Sequence, residues 1–180
     1  MKVKDIQFAT FANGCFWCTE TVFLQLKGVE KVMSGYTGGF IKNPCYREIC
    51  MGITGHAEAI KIEFDATVIS YIDLLEVFFA THDPTTLNKQ GYDVGTQYRS
   101  AIYYHNDVQK SAAKAMISFL DDHKLFNSKI VTEVTEAGEF YKAEEEHQDF
   151  YNSNPNFRYC NIIIDPKLEK LKKHYQDKIK

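Results

Sequence analysis

The stretch Ile6-Gln7-Phe8-Ala9-Thr10-Phe11-Ala12-Asn13-Gly14-Cys15-Phe16-Trp17-Cys18-Thr19-Glu20 decides how the rest of the chain is read. Ile6 to Phe11 is apolar and β-prone, a predicted strand, and Asn13-Gly14 breaks it. Beyond the break, Phe16, Val22, Phe23, Leu24 and Leu26 recur at coarse helical spacing until Gly28. Val29 to Ser34 reads as a second strand, followed by the glycine-rich segment Gly35 to Gly39. Residues 40–56, with Pro44, Gly52 and Gly55, have no clean period and read as a long loop.

Ala57, Ala59, Ile60, Ile62 and Phe64 form a third strand. Tyr71, Leu74, Leu75, Val77, Phe78 and Phe79 make a second helix, entered at Ser70 and stopped before Pro84. A polar loop from His82 to Gly95 leads to a fourth strand, Ser100 to Tyr104. The order β-α-β-β-α-β predicts an α+β fold, a two-layer sandwich with a ferredoxin-like core and helices on one face of the sheet. The remainder is a C-terminal extension: a helix over Val108–Leu120, a short strand over Ile130–Thr135 and a short helix over Ala143–Tyr151. A strand over Cys160–Ile164 follows, and Pro166 opens a final helix at its first turn. No linker, repeat or low-complexity tract divides residues 1–180, so one domain is expected.

Composition narrows the function classes. Hydrophobic residues are 44% and charged residues 25% of the 180, an ordinary globular balance that excludes disorder. The net charge of −3 excludes a strongly basic nucleic-acid surface. Lys167, Lys170, Lys172, Lys173, Lys178 and Lys180 crowd the C-terminus, as a solvated helix end would. No run of 18 apolar residues occurs and the start lacks an apolar signal core, so neither a membrane span nor a signal peptide is expected. The five cysteines are an odd number in a chain too long to need disulfide staples, which predicts a reducing, cytoplasmic setting.

The densest chemistry is Gly14-Cys15-Phe16-Trp17-Cys18, at the passage from strand to helix. There Cys15 meets exposed amides and a helix dipole that favour a thiolate, and Cys-x-x-Cys can close a disulfide and carry two electrons. The alternative is two buried cysteines beside an aromatic core pair. Gly35-Tyr36-Thr37-Gly38-Gly39 adds a phenol, Gly55-His56-Ala57-Glu58 a carboxylate, and Asp93 to Ser100 a carboxylate, an amide, a phenol (Tyr98) and a guanidinium. Taken singly, Tyr36 and Tyr98 suit rim residues, Glu58 a strand edge and Asp93 a turn. Together they suit loops meeting at one edge of a sheet, where sites are built. Zinc on Cys15, Cys18, Cys45 and Cys50 is a further alternative, without matching paired spacing, and no His-Glu-x-x-His or phosphate-binding glycine pattern exists. No metal and no cofactor is expected.

Four of these segments, Gly14-Cys15-Phe16-Trp17, Gly35 to Gly39, Gly55 to Glu58 and Gly95 to Ser100, resemble in order the A class of peptide methionine sulfoxide reductases. The resemblance extends through Phe64-Asp65, His82-Asp83-Pro84 and Glu146-His147-Gln148 to about residue 160. It implies that Cys15 attacks the sulfoxide sulfur, that Phe16 and Trp17 form the apolar pocket for the S-methyl group, and that Glu58 protonates the oxygen. It further implies that Tyr36 and Tyr98 hydrogen-bond that oxygen while Asp93 shapes the polar site. The substrates implied are methionine-S-sulfoxide in proteins or peptides and free methionine sulfoxide, with thioredoxin as electron donor; a monomer without nucleic-acid or membrane partners is expected.

For that role Glu58 must hold a proton near neutral pH, which requires burial or a nearby negative charge. The resolving thiol is left between two candidates. Cys160, after Phe157-Arg158-Tyr159, resembles a tail cysteine of many relatives, but no glycine-rich tail follows it here. Cys18 is near in sequence and needs no tail motion, and is preferred; Cys45 and Cys50 are read as bystanders, with a relay by Cys50 as the exception. The rival activities are a general thiol–disulfide oxidoreductase and a zinc-bearing interaction module.

Overall fold

The computed structural model describes residues 3–180. In chain order its main elements are β1 (Ile6–Asn13), α1 (Phe16–Leu24), β2 (Val29–Thr37), α2 (Tyr46–Cys50), β3 (Ala57–Asp65) and α3 (Tyr71–Ala80). There follow β4 (Lys89–Gln90), β5 (Asp93–Val94), β6 (Ser100–Tyr104), α4 (Asp107–Asp122), β7 (Glu133–Glu136), β8 (Phe140–Lys142), α5 (Phe150–Ser153) and α6 (Asp165–His174). The fold is α+β: a mixed six-stranded sheet in the order β7-β6-β1-β3-β2-β8, with helices packed against it and a small β4-β5 hairpin beside it. Neighbours are antiparallel except β6 and β7.

Strand alternation separates the faces. Phe11 of β1, Val32 and Tyr36 of β2, Ile60, Ile62 and Phe64 of β3 and Ile102 of β6 are buried in one large cluster with Phe16 and Phe23 of α1 and Leu74, Leu75 and Phe78 of α3. Each such side chain stabilises the fold by roughly 1.5–3 kcal/mol relative to exposure. The other face carries smaller residues, Ala12, Ala57, Ala59 and Ala101 with Tyr103, covered in part by Ala137 and Phe140. Gly35 is required by this closure, since a Cβ there would lie 2.3 Å from the Tyr141 carbonyl of β8.

Most predicted elements are present with shifted ends, and Ser70 caps α3 by accepting the Asp73 amide at 3.1 Å. Five segments differ from expectation, the first being the polar loop over His82 to Gly95, which holds the β4-β5 hairpin. The loop over residues 40–56 contains helix α2, and Phe140–Lys142 adds strand β8. The helix expected over Ala143–Tyr151 is divided into a 3₁₀ turn, Glu145–His147, and the single turn of α5. The strand expected over Cys160–Ile164 is a π-helical turn that runs into α6. Its isoleucines favour a strand, but Cys160, Ile164, Leu168 and Leu171 fall on one helical face and are all buried, so core packing overrides the local preference. The Asp165 amide bonds the Cys160 carbonyl five residues back, the wider ring that defines a π turn. Pro166 stands at the start of α6, as expected.

Candidate active site

Strand β1 ends at Gly14, whose φ of +105° turns the chain into α1 with Cys15 as N-cap residue. The first helical amide, that of Phe16, donates to Glu58 Oε2 at 3.1 Å. Glu58 is 2% exposed and lies at the start of β3, directly across from Tyr36 of β2. Burial raises its carboxyl to about 8; the Phe16 amide works against this, while the charges of Asp93 and Cys18 add to it. The raised pKa that the acid role demands is therefore a property of this place.

Cys15 is half-buried; the Cys18 amide one helical turn on donates to its carbonyl at 3.1 Å, and the two thiols perturb each other. Burial pushes the Cys15 thiol well above its ordinary value, with the Cys18 thiol and the charge of Glu58 adding to the effect. The Trp17 amide opposes this, but the helix start does not by itself make Cys15 the thiolate that the sequence suggests. The lowered thiol is Cys18, held at about 7 chiefly by the Cys15 thiol, against burial, and helped by Lys167 and the Tyr159 hydroxyl. Cys18 Sγ lies 3.6 Å from the Tyr159 hydroxyl, which donates to Asp93 Oδ2 at 2.8 Å. Cys15, Cys18, Asp93, Tyr159, Ile163 and Lys167 line a cavity of about 330 Å³, closed on one side by the β4-β5 turn.

Phe16 is buried against Tyr36, Tyr46 and His147. Trp17 remains partly exposed and donates its indole N–H to His147 Nδ1 at 3.2 Å. Tyr98 closes the 3₁₀ turn Thr96–Tyr98 ahead of β6; burial raises its phenol, and the charges of Glu58, Asp93 and Cys15 raise it further.

Two sequence expectations change here. Tyr36 is fully buried and its hydroxyl donates to Glu144 Oε2 at 2.8 Å, so that phenol is committed inside the core. Tyr46, the first residue of α2, its amide fixed by Glu144 Oε1 at 2.8 Å, is a second phenol among the charges of Glu58 and Tyr98. Tyr46 lies in the segment read as an aperiodic loop; the local signal was Glu48, whose side chain accepts the Cys45 amide and caps α2. Cys160, the other contender for resolution, is fully buried in the π turn and packed in the main core, whereas Cys45 and Cys50 are exposed. Among the described residues no group of three or more His, Cys, Asp or Glu side chains could hold a metal ion, so the four cysteines weighed for zinc do not converge. Among them, too, no helix is long and apolar enough to cross a membrane.

The family model for peptide methionine sulfoxide reductase matches residues 7–179. The peptide methionine sulfoxide reductase MsrA of Pasteurella multocida is 56% identical over 171 residues, covering 95% of this chain and 97% of its own. That of Acinetobacter baumannii is 54% identical over 175 residues, covering 97% and 99%. Among solved structures, reduced Mxr1 from Saccharomyces cerevisiae superposes with a TM-score of 0.80 at 32% identity, covering 86% of this chain and 89% of that one. Methionine sulfoxide reductase A of Corynebacterium diphtheriae gives 0.74 at 34%, covering 83% and 76%. With the paired thiols and the buried carboxyl at the start of α1, these similarities place the chain in the peptide methionine sulfoxide reductase family, in its A class.

Proposed function

We propose that this chain reduces the S epimer of methionine sulfoxide, free or in proteins, with Cys15 as nucleophile, Glu58 as acid and Cys18 as resolving thiol. The observation that carries the reading is Glu58, a carboxyl held at about 8 by burial and tied to the residue after Cys15. A sulfoxide oxygen leaves sulfur only when protonated, and a carboxyl with that value keeps its proton at neutral pH.

At that pH the thiol pair holds one proton between two sulfurs. As Cys15 attacks the sulfoxide sulfur, its proton passes to Cys18, and Glu58 gives its own to the oxygen. Methionine leaves, and Cys15 carries the oxygen as sulfenic acid. The Cys18 thiol then displaces that oxygen as water, which takes the Cys18 proton, and a Cys15–Cys18 disulfide forms. Glu58 recovers a proton from solvent, and a dithiol donor, thioredoxin, reduces the disulfide by exchange. Cys18 serves this step because it stands one helical turn from Cys15 beside the same cavity, whereas Cys160 would have to leave a packed helix.

Tyr46 and Tyr98 suit the hydrogen bonds to the sulfoxide oxygen, Trp17 and Phe16 the wall around the methyl group, and Asp93 the ordering of Tyr159 above the thiols. The strands β6-β1-β3-β2 with α1 and α3 support a ferredoxin-like core, on which the chain acts as a cytoplasmic monomer. The test is reduction of methionine-S-sulfoxide and of the R epimer, with and without thioredoxin, using C15S as control. Loss of the S epimer alone, dependent on Cys15, is expected; equal reduction of both epimers would defeat the reading.

A further inference from the structure

Trp17, the one tryptophan of the chain, stands in a cage of aromatic rings. Phe150 lies flat upon it, with centroids 3.8 Å apart and planes inclined by 8°. His147 stacks at 5.8 Å, while Phe157 and Tyr159 present edges at 6.0 and 5.9 Å. Phe150 begins α5, whose four residues are too few to be stable alone. Asp149, just before it, has φ 50° and ψ 41°, a left-handed conformation that side chains rarely adopt. Something outside the turn must hold it.

That support comes from Glu20, one turn beyond Trp17 on α1 and 2% exposed. Its two carboxylate oxygens accept the Asp149 amide at 2.9 and 3.0 Å. Burial raises this carboxyl to about 7. Helix α1 would bury an apolar side chain here at no such desolvation cost, yet it carries an acid directed at the backbone of an irregular turn.

We propose that Glu20 is a positioning residue for the apolar side of the substrate pocket: by anchoring the Asp149 amide to α1 it keeps Phe150 seated on Trp17 and fixes the slot that receives the methyl-bearing end of the sulfoxide. The inference rests on Trp17 being a wall of that pocket, as argued above. Glu20 touches no reacting atom; it acts on substrate fit through Phe150 and leaves the thiol chemistry alone.

The experiment compares the full chain with E20A, E20L, E20Q, F150A and the double variant E20A/F150A. Trp17 emission is read alongside KM and the single-turnover rate on a methionine sulfoxide peptide. E20A is expected to shift Trp17 emission to the red and raise KM roughly fivefold, with the saturated single-turnover rate within about twofold of the parent. E20L fills the volume without offering an acceptor, keeps the measurement accessible if E20A does not fold, and is expected to behave as E20A does. E20Q, whose amide oxygen still accepts the Asp149 N–H, is expected to restore both emission and KM. F150A should repeat the KM rise, and the double variant should add nothing to it. Unchanged emission and KM in E20A and E20L would overturn the proposal, as would a loss borne by the rate alone or effects that multiply in the double variant. Absence of sulfoxide reduction by the parent chain would instead remove the pocket assignment, while the emission comparison would still report whether Glu20 seats Phe150.

Discussion

Glu58 and Phe16 join strand β3 to the first turn of α1 by one hydrogen bond of 3.1 Å, from the Phe16 amide to Glu58 Oε2. That bond places a buried proton donor beside the nucleophile, and it opposes part of the rise in pKa that burial causes. E58Q keeps the shape and an acceptor for the amide but lacks a transferable proton. Formation of the Cys15 sulfenic acid should fall by about 10²–10⁴-fold in a single turnover, measured as methionine released per enzyme. An unchanged first turnover would remove Glu58 from the acid role.

The pH profile of that turnover follows from two groups. The thiol pair must lack one proton, which begins as pH rises through about 7, and Glu58 must retain its proton, which is lost as pH rises through about 8. A bell with its top between these values is expected in single-turnover rates at saturating sulfoxide. A profile still rising well above pH 9 would contradict it.

Glu58 also links stability to pH. Its folded value of about 8 stands above the ordinary 4.5, so between those limits the native chain binds more protons than the unfolded one, and stability falls as pH rises. Denaturant titrations should find E58Q more stable than the parent at pH 8.5, by roughly a few kcal/mol, and close to it at pH 4. Glu20, raised to about 7, contributes a slope of the same sign that E58Q retains.

Lys167 lines the cavity beside Cys18 and helps hold that thiol down. K167M should move the acid limb of the profile upward and slow single turnover at pH 6.5 by about two- to fivefold, with little change at pH 8. Thiolate absorbance titrations on C15S and C15S/K167M would isolate Cys18; coincident curves would exclude the lysine.

The two phenols separate cleanly. Y36F removes the donor to Glu144 Oε2, a carboxylate with 34% of its side chain exposed, and should cost about 0.5–1.5 kcal/mol of stability while leaving turnover of the folded enzyme near normal. Y46F should spare stability and slow reduction of the sulfoxide. Urea melts and single-turnover assays of both variants decide between these roles.

Much of this arrangement is visible in the residues themselves. Partial alternation in Ala57 to Phe64 and helical spacing in Tyr71 to Phe79 report burial, and burial is what the sequence pattern records. Glu58 is legible for the same reason, a lone acid on the apolar side of a strand. Tyr46 is not, because α2 is five residues long and owes its place to Glu144, 98 residues away. The Cys160–Ile164 turn misleads for a different reason: three consecutive isoleucines speak for a strand, and only contact with α1 and the core tips them into a helix. Glu20 falls between these cases, since its position on α1 is plain but its partner is an irregular turn with no sequence period at all.

The π turn at Cys160–Ile164 also acts as an angular gauge. Each residue added to or removed from a helix rotates everything beyond it by about 100°. Tyr159 reaches Cys18 and Lys167 faces the same cavity from opposite ends of this turn, so their common direction depends on the residue count between them. Eight ordinary helical residues at about 100° each would set the hydroxyl and the ammonium roughly 80° out of phase, and the wider ring takes up that excess. The widened ring thus meters two side chains onto one pair of sulfurs, which an ideal helix of the same composition would aim apart.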